Sequence, residues 1–104
     1  MTFTYDFKHD EDVVFFAYCQ PYTYSDLVED MNAMEKDHIK QHYVGRNTLC
    51  RTIAGNKCDY LTITAKNHPD AKSERKGVFL SARVHPGETN SSWMMKGAID
   101  FLLS

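Results

Sequence analysis

The chain has 104 residues, 42% of them hydrophobic and 25% charged, with twelve lysines and arginines against fourteen aspartates and glutamates for a net charge of −2. That length makes one domain or less and buries roughly 60–65% of its unfolded surface, and the near-balanced charge leaves no footprint for nucleic acid or for an anionic membrane. No apolar run approaches the ~20 residues that span a bilayer, and the first ten residues lack the apolar stretch of a signal peptide, which together read as a cytoplasmic protein.

In chain order, Asp12–Cys19 is rich in β-branched and aromatic residues and predicts a buried strand, ended by Pro21. Thr23 and Ser25 are both candidate N-caps for a helix from about Ser25 to about Gln41, in which Leu27, Met31, Met34 and His38 recur at helical spacing. Gly45 follows as a C-cap or turn glycine. Thr48–Ala54 and Tyr60–Ala65 predict two strands of an antiparallel hairpin around the Gly55-Asn56 turn, with Leu49 and Ile53 on one face and Cys50 on the other. The polar stretch 66–76, containing Pro69, reads as a solvated loop.

Gly77–Val84 predicts the most deeply buried strand, with Val78, Leu80, Ala82 and Val84 on one face. Arg83 in such a strand needs a carboxylate or a ligand. Thr89, Asn90 or Ser91 can cap a last helix with an apolar stripe of Trp93, Met94, Gly97, Ala98, Phe101 and Leu102. The order strand, helix, three strands, helix is that of an α/β fold with a mixed sheet. Two helices cover such a sheet incompletely, so an exposed apolar surface near Phe79 and the Trp93 helix is expected.

Three cysteines, Cys19, Cys50 and Cys58, have no CxxC spacing and read as reduced thiols acting as small buried hydrophobes. His38 and His42 have the spacing of a helical zinc pair, but that motif needs Glu directly after the first histidine and Ile39 stands there; they read as a solvated helix end. Ser91 and Ser92 lack the glycines of a nucleophile elbow and read as capping residues. Neither Asp6 nor Asp59 has an identifiable partner.

His85-Pro86-Gly87-Glu88 stands apart, because it lies where a strand hands over to a helix, the place where sites gather in α/β sheets. Imidazole nitrogen and carboxylate oxygen both suit Zn²⁺, and a tight Pro-Gly turn, bent at Gly87, brings the two residues toward one ion. Spacing alone fits equally a surface turn with a hydrogen-bonded histidine.

The longer stretch Phe79–Gly97 closely resembles the zinc-binding segment of the cytosolic carboxypeptidases, a branch of the metallocarboxypeptidase family. Phe16–Leu27, Leu49–Asn56 and Leu61–Thr64 resemble the same branch, in the same order. The resemblance implies part of an α/β/α zinc-carboxypeptidase fold, with residues 1–20 closing a preceding β-sandwich domain and residues 21–104 opening the catalytic domain. It implies one Zn²⁺ on two histidines and a glutamate, of which His85 and Glu88 match the first histidine and the glutamate. The second histidine, the general-base glutamate and the carboxylate-binding arginines lie well downstream in the family, so no catalytic residue is assigned among the sixteen that follow Glu88. Gly87 stands where pancreatic members carry a basic residue.

The activity implied is removal of C-terminal glutamates from polyglutamylated protein tails, tubulin above all, in a cytoplasmic, microtubule- or cilium-associated setting. Arg83 and Lys96 are the basic residues at hand for an acidic tail and are left unassigned. With two ligands the 104-residue chain is expected to be inactive by itself. Two rivals stand beside this reading: a truncated, non-enzymatic chain that at most binds a partner, and amide hydrolysis of small acyl amino acids.

Overall fold

Thr23 starts the first helix. In the computed structural model, which describes residues 2–65, 69 and 74–104, the Thr23 hydroxyl accepts from the Asp26 amide at 3.2 Å and the Asp26 carboxylate accepts from the Thr23 amide at 2.6 Å. This reciprocal box satisfies donors that the first turn leaves open, and of the two candidate caps Thr23 is the one used. The two Thr23 hydrogen bonds, backbone first, hold the Asp26 carboxyl below its ordinary range. A carboxyl so lowered stabilises the fold above its unfolded pKa of ~3.9, and that contribution is lost as pH falls through the lower folded value. Thr23→Ala is expected to weaken the helix by about 1 kcal/mol, read as faster amide exchange over its first two turns.

The helix, α1, spans Tyr24–Lys36 and buries Met31 and Met34. It stops five residues short of Gln41 because Asp37 offers the backbone another partner: its carboxylate accepts from the amides of Ile39 at 2.8 Å and Lys40 at 3.0 Å. A single 3₁₀ turn, Lys40–His42, follows. His38 and His42 are therefore not one helical turn apart on an α-helix.

Strand β1 is Val44–Arg51 and pairs antiparallel with β2, Lys57–Ile63. Gly45, expected as a cap, sits in the ladder opposite Thr62. The hairpin and its Gly55-Asn56 turn are as expected, with Gly55 at φ 83°, where only glycine rests easily. Leu49 is an extra residue between the pairs Thr48–Asp59 and Cys50–Cys58. This bulge breaks the alternation, and Leu49 and Ile53 both end up exposed. Most of the expected loop 66–76 lies outside the described residues.

The final helix, α2, is Thr89–Leu102. Glu88 holds the cap position without a side-chain cap bond, in place of Thr89, Asn90 or Ser91. A Tyr22–Trp93 edge-on ring contact, with centroids 4.9 Å apart, and Lys96 between Asp30 at 3.4 Å and Asp100 at 3.0 Å fix α2 beside α1. The chain is thus α/β in class, two helices with a two-stranded antiparallel sheet.

Two expected strands are absent. Residues 12–19 and 77–84 carry no strand structure, and their apolar side chains face water: Phe15 is 88% exposed, Val78 83% and Phe79 90%. A strand exists only when a neighbour takes its N–H and C=O groups, and among the described residues β1 and β2 pair with each other alone. Among the described residues the buried apolar side chains are Tyr22, Met31, Met34 and Val44. The radius of gyration, 18.5 Å, accordingly exceeds the ~13 Å of a compact chain of this length. Phe79, Met94 and Phe101, in the region where an exposed apolar surface is expected from the sequence, are each exposed.

Candidate metal-binding turn

His85-Pro86-Gly87-Glu88 forms a closed turn, the Glu88 amide donating to the His85 carbonyl at 3.1 Å. The Glu88 carbonyl then accepts from the Ser91 amide at 3.0 Å as α2 begins. The sharp bend lies two residues before the turn: Arg83 has φ 54°, a left-handed conformation that costs a non-glycine residue of order 1–3 kcal/mol. Gly87 has no such φ, and a Cβ there would meet nothing within 4 Å. The bend assigned to Gly87 from sequence is therefore made by Arg83.

The Arg83 side chain explains why that conformation holds. Its guanidinium donates to the Pro86 carbonyl at 3.1 and 3.0 Å, the Tyr22 carbonyl at 2.6 Å, the Ser92 hydroxyl at 3.3 Å and the Thr89 hydroxyl at 3.2 Å. Five donors in a planar fork suit this use. Carbonyls and hydroxyls thus take the place of the carboxylate that the sequence led us to expect. Tyr18 braces the other side: its hydroxyl donates to the Gly87 carbonyl and accepts from the Thr89 amide at 3.2 Å. The Trp93 indole donates to the Gln20 carbonyl at 3.0 Å and keeps this N-terminal segment against α2. Ser92 serves Arg83, a role that no local pattern announced.

His85 and Glu88 are both exposed, and among the described residues neither the imidazole nor the carboxylate is held by a hydrogen bond. An imidazole and a carboxylate on one closed turn are a donor pair that Zn²⁺ accepts, so the residues fit two places of a zinc site. Among the described residues no third histidine, cysteine or carboxylate joins them. Both basic residues left open by the sequence are engaged, Arg83 by the turn and Lys96 by Asp30 and Asp100.

A concavity of about 670 Å³ lies elsewhere, between α1 and the hairpin, and its lining includes neither His85 nor Glu88. It surrounds a cluster that sequence reasoning missed. Arg46 donates to Asp59 at 2.7 Å, Asn32 at 2.9 Å and Glu35 at 3.1 Å, and Thr48 donates to the other Asp59 oxygen at 2.7 Å. The only sequence signal was charge on both hairpin strands, and the bulge hid their register.

No helix among the described residues is long and apolar enough to cross a membrane. No protein-family profile matches the chain, and no solved structure matches it. Curated proteins do. The chain is 49% identical over 105 residues to cytosolic carboxypeptidase 2 of Xenopus tropicalis, covering 100% of the chain and 11% of that protein. It is 47% identical over 111 residues to cytosolic carboxypeptidase 1 of Homo sapiens, covering 100% of the chain and 9% of that protein. It is 45% identical over 103 residues to cytosolic carboxypeptidase 3 of Bos taurus, covering 99% of the chain and 10% of that protein. The chain spans 9–11% of the length of these relatives. Across that span, and from end to end of its own sequence, it belongs to the cytosolic carboxypeptidase family.

Proposed function

We propose that the protein carrying this segment is a cytoplasmic zinc carboxypeptidase that removes C-terminal glutamates from polyglutamylated protein tails, tubulin above all, and that His85 and Glu88 hold its zinc. The observation that supports this most is the 45–49% identity to cytosolic carboxypeptidases over the whole chain, the His85–Glu88 turn included. A catalytic zinc takes three protein ligands and keeps one open position. His85 and Glu88 supply two, and the third comes from elsewhere in the protein. Bound there, zinc supplies the Lewis acidity that polarises a peptide carbonyl and acidifies a water.

The segment's own contribution is positional. Arg83 and Tyr18 fix the backbone of the turn from both sides, so only the two exposed ligand side chains are left to order when the ion binds. The 104-residue chain by itself holds zinc weakly and is inactive. The test measures glutamate release from a peptide ending in several glutamates, with zinc and with a chelator, for the whole protein and for the segment alone. Chelator-sensitive release by the whole protein alone is the expected result. Release that ignores the chelator, or release by the segment alone, overturns the reading.

A further inference from the structure

Cys50 on β1 and Cys58 on β2 are direct partners in the antiparallel register. The Thr52 amide donates to the Asn56 carbonyl at 2.8 Å just beyond the last ladder pair, Arg51–Lys57, which sets the hydrogen-bonding phase of the adjoining ladder. Two residues back along each strand, Cys50 and Cys58 occupy the same kind of position, where facing Cα atoms lie ~5.5 Å apart. Disulfides form across Cα separations of roughly 4.4–6.8 Å, most often near that same value. The pairing of side chains also fits. Arg46, bonded to Asn32 and Glu35 of α1, and its partner Asp59 share one face, and by strand alternation Cys58, next to Asp59, lies on the other face of the hairpin together with its partner Cys50. Both cysteines are exposed there, contrary to the buried role expected from sequence.

We propose that Cys50 and Cys58 are a redox-closable pair, joined as a cross-strand disulfide by a low-molecular-weight disulfide such as oxidised glutathione and reopened by the corresponding thiol. The Cys50 thiolate attacks one sulfur of the small disulfide, which leaves a mixed disulfide on Cys50 and expels one small thiolate. The Cys58 thiolate then attacks the Cys50 sulfur, forms the Cys50–Cys58 bond and expels the second small thiolate. Two protein thiols are oxidised, one small disulfide is reduced to two thiols, and the two protein protons go to the leaving thiolates. The order follows from the environment: burial, and after it the neighbouring Cys50 thiol, pushes the Cys58 thiol up, which makes Cys58 the poorer first attacker and makes closure faster as pH rises.

Closure joins the nine residues Cys50–Cys58 into a fixed hairpin tip directly beyond the Leu49 bulge, where register is least protected. It also fixes Asp59, the neighbour of Cys58, in its bond to Arg46 and so to α1. Cytosolic disulfides are characteristically transient and redox-sensing, and a pair that is open in the reduced state and solvent-exposed on a strand ladder meets that description.

The test equilibrates the full chain in a buffer of reduced and oxidised glutathione, blocks free thiols and digests with trypsin. Cleavage after Arg46, Arg51, Lys57 and Lys66 gives Asn47–Arg51 and Cys58–Lys66, which the bond joins into a single linked species. The expected result is that this species accounts for most of the oxidised Cys50, at about tenfold or more over the yield in denaturant with the same buffer, because the ladder holds the sulfurs together. In Cys58→Ser the product is the glutathione adduct of Cys50 alone. Separate adducts on Cys50 and Cys58 without linkage, linkage of either to Cys19, or an equal yield in denaturant overturns the proposal.

Discussion

Replacing His85 or Glu88 by alanine in the full-length protein is expected to abolish bound zinc and to lower glutamate release by more than about 100-fold, beyond the 10–100-fold typical of residues that only support a ligand. The structure makes this a clean experiment. Both side chains are exposed and, among the described residues, unbonded, so their loss leaves packing untouched and stability within about 0.5 kcal/mol of the parent. Lost activity with an unchanged unfolding curve and lost zinc then has one cause. Arg83→Met supplies the contrast. It removes the bonds that hold Pro86, Tyr22, Ser92 and Thr89 together while leaving both ligands in place. Its zinc affinity should fall about 10–100-fold, and excess zinc should restore its activity but not that of His85→Ala. Full activity in Glu88→Ala sinks the zinc assignment, and unchanged zinc affinity in Arg83→Met sinks the role given to that side chain.

What could be read ahead of the structure were features whose physics is local. A threonine or serine at a helix start, a Gly-Asn turn between two β-rich stretches, and a histidine and glutamate across Pro-Gly all declare themselves within a few positions. The failures share a cause of the opposite kind. Helical spacing ran on past Lys36, but the Asp37 carboxylate drew the next amides into a turn, a competition that periodicity cannot see. Alternation placed Leu49 and Ile53 on one face of a strand, but a bulge interrupts the alternation at Leu49 and β1 ends at Arg51, before Ile53. Residues 12–19 and 77–84 have the composition of strands, yet composition gives a propensity and not the partner that a ladder requires. Arg83 looked like a charge in need of a carboxylate or a ligand. Its answer came from Tyr22, sixty-one positions away, and from the turn itself. The His85–Glu88 turn was legible as a motif, whereas the two residues that brace it, Arg83 and Tyr18, act through contacts over distances that no motif spans.

The Arg46–Asp59 cluster is expected to hold the hairpin to α1, and Asp59→Ala to weaken that union by about 2–3 kcal/mol. The magnitude sits below the 3–5 kcal/mol of a fully buried pair that loses one partner, because the Arg46 side chain keeps 14% of its surface in water while Asp59 keeps 2%. Exposed pairs, by comparison, are worth about 0–1 kcal/mol, and the Glu35 arm, 49% exposed, belongs with those. Since 1.4 kcal/mol is a factor of ten, amide exchange in β1 and the facing turn of α1 should quicken roughly 30–150-fold. The pH dependence has a definite sign. Thr48 first, and then Arg46 against the opposing effect of burial, hold the Asp59 carboxyl below its ordinary range. Its contribution is therefore complete above the unfolded pKa of ~3.9 and is lost as pH falls through the lower folded value. Asp59→Asn, which keeps the shape and abolishes the charge, should at neutral pH show about the protection, relative to the intrinsic exchange rate, that the parent shows once Asp59 is protonated. The double change Arg46→Met with Asp59→Leu should cost less than either removal alone, because neither charge is left buried without its partner. Parent-like exchange in Asp59→Ala reduces the cluster to a surface ion pair and overturns its role in holding the hairpin to α1.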